Sequence, residues 1–178
     1  MHITVCLGSN PGNDPRLAAA VRALGAWIGK SGHTLVYGGA GLGLMNELAN
    51  SVLLSGGRVI GVMPQFFVDA NRAHVGLTEL IVTADMSERK AKMIALGDAF
   101  LAFPGGFGTL EEIAEVMSKV VLGHLSAPCI LYDLDGYYTG LKTQLLHAVE
   151  TGLASEQALS RIRFVRSLEE IQAILTHP

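Results

Sequence analysis

The stretch from Phe100 to Glu112 constrains this chain most. An apolar run, Phe100-Leu101-Ala102-Phe103, stops at Pro104. Gly105, Gly106 and Gly108 follow around Phe107, and Thr109, Leu110, Glu111 and Glu112 open a helical pattern. The order reads as strand, tight glycine-rich turn, helix N-terminus. The first turn of a helix presents unpaired backbone N–H groups and the positive end of its dipole. Glycines let an anion approach that backbone closely, so phosphate is the natural ligand. Thr109 stands where an N-cap hydroxyl would, serving either the helix or a phosphate oxygen. Glu112, three residues on, fits a capping box.

The same grammar recurs along the chain. Apolar runs over 3–7, 34–37, 58–63, 79–83, 98–103, 129–132 and 162–165 predict strands, the last at a sheet edge. Between them, apolar positions at 3–4 spacing predict helices, beginning with Leu17, Ala20, Val21, Leu24 and Ile28 after Pro15. Further helices are expected after Gly43, over 87–96, from the opening motif to about Leu122, over 138–151 and over 168–175. Residues 64–76 read as a long loop. Strands alternating with helices argue for an α/β fold, a Rossmann-like doubly wound parallel sheet with helices on both faces, as a single domain over 1–178. Ligands bind such sheets beyond the carboxyl ends of the strands. Glycine-rich loops are expected there after Leu7 (Gly8, Ser9), after Tyr37 (Gly38, Gly39) and after Phe103. Their convergence on one crevice points to a nucleotide or sugar phosphate.

Better-known phosphate motifs do not fit. No loop has glycine at i, i+2 and i+5, which disfavours NAD and FAD. Gly29-Lys30-Ser31 resembles the end of a Walker A motif but has Leu24 where glycine is required. There is no HExxH and no GxSxG, and the six histidines are scattered, so no metal is expected. The formal net charge of −3 with no basic block argues against nucleic acid. Cys6 and Cys129 lie in apolar runs and read as inert buried thiols. No apolar stretch approaches a membrane span and no leader pattern precedes the first strand, so a cytoplasmic protein is expected. No cofactor is implied.

Several charged residues are candidates. Arg89 and Lys90 stand near the start of a predicted helix, an unfavourable place for solvated cations, so either an anion sits nearby or the face is simply exposed. Glu111 and Glu112 project about 100° apart on their helix, so only one can face the crevice squarely. Arg72 and His74 lie in the long loop, where either a functional or a solvated role is open.

Pro104-Gly105-Gly106-Phe107-Gly108-Thr109-Leu110-Glu111-Glu112 resembles the PGGxGTxxE motif of the LONELY GUY family, the cytokinin riboside 5′-monophosphate phosphoribohydrolases often labelled lysine decarboxylases. Met86-Ser87-Glu88-Arg89-Lys90 resembles the family's MHxRK segment. The stretches 5–12, 37–45 and Asp135-Gly136-Tyr137-Tyr138 match as well. The resemblance implies a homodimeric hydrolase of the N-glycosidic bond of N6-modified adenosine 5′-monophosphates. It assigns catalysis to Arg89 and Glu112. It assigns substrate binding to Gly8, Ser9, Gly39, Asn71, Lys90, Gly105, Gly106, Phe107, Gly108, Thr109, Leu110, Glu111 and Ser118. Ser87 replaces the family's usual histidine, Asn46 a common glycine, and Asn71 falls where relatives place a glutamate. These departures bear on base specificity. They keep two alternatives in view: a broader AMP or GMP nucleosidase, and a non-catalytic carrier of a phosphorylated cofactor such as molybdenum cofactor.

Overall fold

A computed structural model describes residues 1–176. Strands β1 (His2–Cys6), β2 (Thr34–Tyr37), β3 (Arg58–Pro64), β4 (Glu79–Thr83), β5 (Ala99–Ala102), β6 (Cys129–Tyr132) and β7 (Ile162–Val165) form one parallel sheet in the order β4-β3-β2-β1-β5-β6-β7. The connecting helices are α1 (Pro15–Lys30), α2 (Gly43–Leu54), α3 (Gln65–Asp69), α4 (Met86–Leu96), α5 (Phe107–Val121), α6 (Thr139–Glu150), α7 (Glu156–Ser160) and α8 (Leu168–Thr176). The expected α/β architecture is the one observed. None of these helices is long and apolar enough to cross a membrane.

Alternation along the strands builds a core on each face. Ile3, Val5, Leu35, Tyr37 and Leu101 pack beneath α1, α2 and α8. Phe100, Ala102 and Leu131 face Ile113, Val116 and Val120 of α5. Val36, Ile60 and Val62 meet Met93 of α4. Both faces are covered, so the strands read as apolar runs rather than alternating ones. On the first face α1 and α2 lie unusually close. A Cβ on Gly25 would stand 2.7 Å from the Ser51 Cβ, and one on Gly29 would stand 2.7 Å from the Val52 carbonyl oxygen.

The strand order reverses at β1, with β2 on one side and β5 on the other. This opens a crevice at the carboxyl ends of β1, β2 and β5. The glycine-rich loops do converge there. The space for a Cβ on Gly43 is filled by the Ser9 carbonyl oxygen, 2.0 Å away, and a Cβ on Gly8 would lie 3.6 Å from the Gly105 Cα.

Local expectations needed correction at three places. The long loop over 64–76 contains α3, and α7 precedes the edge strand β7. Both are single short turns whose periodicity is too brief to register. Thr109 is not the cap of α5: Gly106 takes that position, and no side chain caps the helix. Nor does Glu112 close a capping box, because its carboxylate is drawn to Arg89.

Candidate active site

A cavity of about 440 Å³ opens at the crevice. Its walls come from the β1–α1 loop (Gly8, Ser9, Asn10), the β2–α2 loop (Gly38, Ala40, Leu42), the α3 region (Phe67, Arg72) and the α5 N-terminus (Gly106 to Thr109). Arg89 and Glu112 line it from α4 and α5.

Arg89 is positioned by the start of α4. Asp85 caps that helix, its carboxylate accepting from the Glu88 N–H at 2.8 Å, and Glu88 accepts in return from the Ala84 N–H at 2.7 Å. This reciprocal pair settles the first turn and its dipole. Arg89 then reaches inward and is only 7 % exposed. Its Nε donates to the Val62 carbonyl at 3.1 Å, and Nη2 stands 3.1 Å from Glu112 Oε1. The guanidinium fits because position 38 is glycine: a Cβ there would lie 1.8 Å from Nη2.

Glu112 is 8 % exposed. Burial pushes its carboxyl above the ordinary glutamate range, and the opposing pull of Arg89 does not fully offset this. The Cys6 thiol, buried at the end of β1, lies beside this carboxylate, and burial first, then the charge of Glu112, drives its own pKa well up. Cys6 is therefore held as a thiol.

Beside this pair the β5–α5 turn offers an anion site. The α5 cap is glycine with no side-chain bond, so no side chain of the cap competes for the first-turn N–H groups. Thr109 is buried, and its Oγ1 has no hydrogen-bond partner among the described residues. A buried hydroxyl left unpaired is costly, and a ligand oxygen is a natural partner for it. A Cβ on Gly105 would stand 2.1 Å from that Oγ1, so glycine is required there. The turn is buttressed from the β6–α6 connection: the Tyr137 hydroxyl donates to the Gly105 carbonyl, and the Tyr138 hydroxyl to the Phe103 carbonyl at 2.8 Å. Among the described residues no cluster of His, Cys, Asp and Glu is arranged to hold a metal ion.

The chain matches a family profile described as "Possible lysine decarboxylase" over residues 45–175. It is 42 % identical over 177 residues to the cytokinin riboside 5′-monophosphate phosphoribohydrolase of Rhodococcoides fascians, covering 99 % of this chain and 89 % of that protein. The chain belongs to the LONELY GUY family. A phosphoribohydrolase of the same name from Arabidopsis thaliana is 37 % identical, over 96 % of this chain and 82 % of its own length. Solved structures sharing the fold include a molybdenum cofactor binding protein from Rippkaea orientalis, with TM-score 0.71 and 23 % identity over 98 % of this chain and 96 % of that one. The molybdenum cofactor carrier protein of Chlamydomonas reinhardtii superposes with TM-score 0.75 at 21 % identity, over 98 % of this chain and 95 % of its own. At such identities the likeness is one of fold.

Of the residues that the LONELY GUY resemblance singles out, Gly8, Ser9, Arg89, Gly106, Phe107, Gly108, Thr109 and Glu112 line the cavity. Gly39, Asn71, Lys90, Gly105, Leu110, Glu111 and Ser118 do not. Gly105 lies just beneath it, against Thr109. The Lys90 amino group is held by Glu111 at 2.7 Å and Glu115 at 3.4 Å, and Glu111 raises its pKa. The two adjacent glutamates part as helix geometry requires, Glu112 inward and Glu111 toward solvent. Leu110 and Ser118 lie on the exposed side of α5. Sequence reasoning did not single out the apolar lining from Met45, Met63 and Met86 or the place of Phe67. Each reads as an ordinary core residue until the fold brings it to the crevice.

Proposed function

We propose that this protein hydrolyses the N-glycosidic bond of purine nucleoside 5′-monophosphates, N6-modified adenosine monophosphates first among them, to free base and ribose 5-phosphate. The observation that carries the reading is the buried Arg89–Glu112 pair, 3.1 Å apart in the cavity wall beside an uncapped helix N-terminus with an unpaired Thr109 hydroxyl. The related phosphoribohydrolases support it.

The 5′-phosphate docks on the α5 N-terminus, where backbone N–H groups and the Thr109 hydroxyl receive its oxygens. Docking holds C1′ of the ribose against Glu112. The bond from C1′ to the base nitrogen breaks with its electron pair leaving on the base, and positive charge develops on the sugar ring. The Glu112 carboxylate stabilises that charge and accepts a proton from the water that attacks C1′. The departing base takes up a proton. Arg89 keeps the buried carboxylate ionised and oriented, and its remaining N–H groups are available to the nucleotide. We assign the working form to a cytoplasmic homodimer that takes no nucleic acid.

Incubation with N6-isopentenyl-AMP, AMP and GMP, with free base and ribose 5-phosphate followed by chromatography, tests the reading. The wild-type protein should release ribose 5-phosphate. Glu112→Gln should lose about 100-fold or more in turnover while retaining its fold by circular dichroism. Near-normal turnover in that variant would remove Glu112 from the mechanism.

A further inference from the structure

Tyr137 is 52 % exposed, so its ring adds little to the core, yet its hydroxyl donates to the Gly105 carbonyl. The segment that presents it is fixed on both sides. Asp133 is buried and accepts from the Tyr138 N–H at 2.6 Å. Asp135 takes the left-handed backbone conformation, φ 51°, that turns the chain, and its carboxylate meets Arg16 Nη1 of α1 at 2.9 Å. The buried Tyr138 ring meets the Tyr137 ring edge to face at 5.1 Å, and its hydroxyl holds the Phe103 carbonyl. Two consecutive tyrosines thus hold two carbonyls of the β5–α5 turn. The one held by Tyr138 directly follows β5. The one held by Tyr137 belongs to a peptide between two glycines.

In a trans peptide the C=O and the N–H point in opposite directions. With the Gly105 carbonyl turned to Tyr137, the Gly106 N–H points the other way. Gly106 lines the cavity, and neither Gly105 nor Tyr137 does. Among the described residues the Gly106 N–H, at the cap of α5, donates to no other group. A Cβ on Gly106 would meet nothing, and its φ of −93° is open to any residue, so the ligand-free fold does not require glycine there. Turning the peptide plane over would carry that φ to the positive side, where glycine is at ease and other residues are not. The flipped peptide would aim a carbonyl oxygen at the place where the phosphate docks. The bond from Tyr137 is available only to the unflipped one.

We propose that Tyr137 is a positioning residue for the phosphate: its hydroxyl locks the Gly105–Gly106 peptide with the N–H turned into the anion site. The inference rests on the hydrolase reading, which places the 5′-phosphate on α5, and adds the device that keeps the turn ready for it. The lock matters as much as the flipped form would be populated without it. With the competent orientation cut to about a tenth, the apparent Kd for a phosphate rises about tenfold. The hydroxyl also polarises the peptide it holds, which strengthens the Gly106 N–H as a donor.

Tyr137→Phe tests this, because it keeps the ring and its contact with Tyr138 and removes only the hydroxyl. Calorimetric Kd values are measured for ribose 5-phosphate, which the reaction releases, and for adenosine, which lacks the phosphate. Tyr137→Phe should weaken ribose 5-phosphate by about tenfold and adenosine by less than about twofold. KM for N6-isopentenyl-AMP should rise by the same factor with kcat within about threefold, since saturating substrate selects the competent orientation. In 15N-labelled, ligand-free Tyr137→Phe the Gly106 amide resonance should shift or broaden, and saturating ribose 5-phosphate should return it toward its wild-type position. Tyr138→Phe removes the neighbouring hydroxyl and should lower Tm without changing the ratio of the two Kd values. An unchanged ribose 5-phosphate Kd in Tyr137→Phe, an equal loss on both ligands, the same selective loss in Tyr138→Phe, or a wild type without affinity for ribose 5-phosphate would overturn the proposal. Tyr137-dependent phosphate affinity in a protein that turns over no nucleotide counts against the hydrolase alone. Turnover with Tyr137-independent phosphate affinity counts against the lock alone.

Discussion

Replacing Gly38 by alanine should disable the site without touching a polar group. Gly38 has no left-handed backbone requirement, so alanine is allowed conformationally. The added Cβ, however, would stand 1.8 Å from Arg89 Nη2, 2.9 Å from its Cζ and 2.6 Å from the Met45 Cε. Ordinary contact is about 3.5 Å, so the guanidinium must retreat by roughly 1.7 Å. That is enough to break or badly distort its 3.1 Å contacts to Glu112 and to the Val62 carbonyl. The first is a buried ion pair and the second a charge-assisted hydrogen bond, the latter of a kind worth about 1.5–3 kcal/mol. Overpacking adds about 1–3 kcal/mol, and partial relaxation of Met45 reduces the sum. A net loss of about 3 kcal/mol is expected, which for a chain of this size lowers Tm by roughly 6–12 °C. Misplacement of reacting groups by about 1 Å costs on the order of 100-fold in rate, so kcat/KM should fall by about that factor even at temperatures where the variant is folded. Thermal denaturation by circular dichroism and ribose 5-phosphate release measure the two effects. Gly140→Ala on α6, where a Cβ meets nothing, is the control, and it should raise Tm slightly through its helix preference. A Gly38→Ala protein within 2 °C and threefold of wild type would refute the claim that this glycine exists to admit Arg89.

Thr109→Val should raise KM about tenfold by removing a phosphate contact, yet leave Tm level or higher, because the buried Oγ1 has no partner without ligand. Paired thermal scans and kinetics check both halves, and a clear drop in Tm would contradict the unpaired hydroxyl. The kcat/KM profile should lose activity on acidification at a pH above 4.5, the ordinary glutamate value, because burial raises Glu112 and the mechanism needs its ionised form. The stability linkage has the opposite sign. The folded protein holds that proton more tightly than the unfolded chain, so this group's contribution to stability falls as pH rises from 4.5 through the raised value. Denaturant unfolding across that window should show this trend in wild type and lack it in Glu112→Gln.

Much of the architecture was legible because it rests on local pattern. Apolar runs bounded by glycine and separated by 3.6-period segments leave few arrangements other than a covered parallel sheet, and β2 and β4 run over the residues that pattern predicts. The strand–glycine–helix order of the β5–α5 segment was legible in the same way, and α5 begins at Phe107, directly after Gly105 and Gly106. The separation of Glu111 from Glu112 followed from helix geometry alone. The short turns α3 and α7 escaped because one helical turn has no period to read.

What the sequence by itself determined is therefore the seven strands, the longer helices and their parallel arrangement. Only the tertiary structure decided which charges act together. Arg89 and Lys90 are neighbours on α4, yet one is buried against Glu112 and the other held at the surface by Glu111 and Glu115. Nothing local distinguishes them. Their fates depend on α4 and α5 meeting across β1, on Gly38 of β2's loop leaving room for a guanidinium, and on the burial that results. Pairings between residues distant in sequence arise from packing, and packing is settled only when the whole sheet has closed.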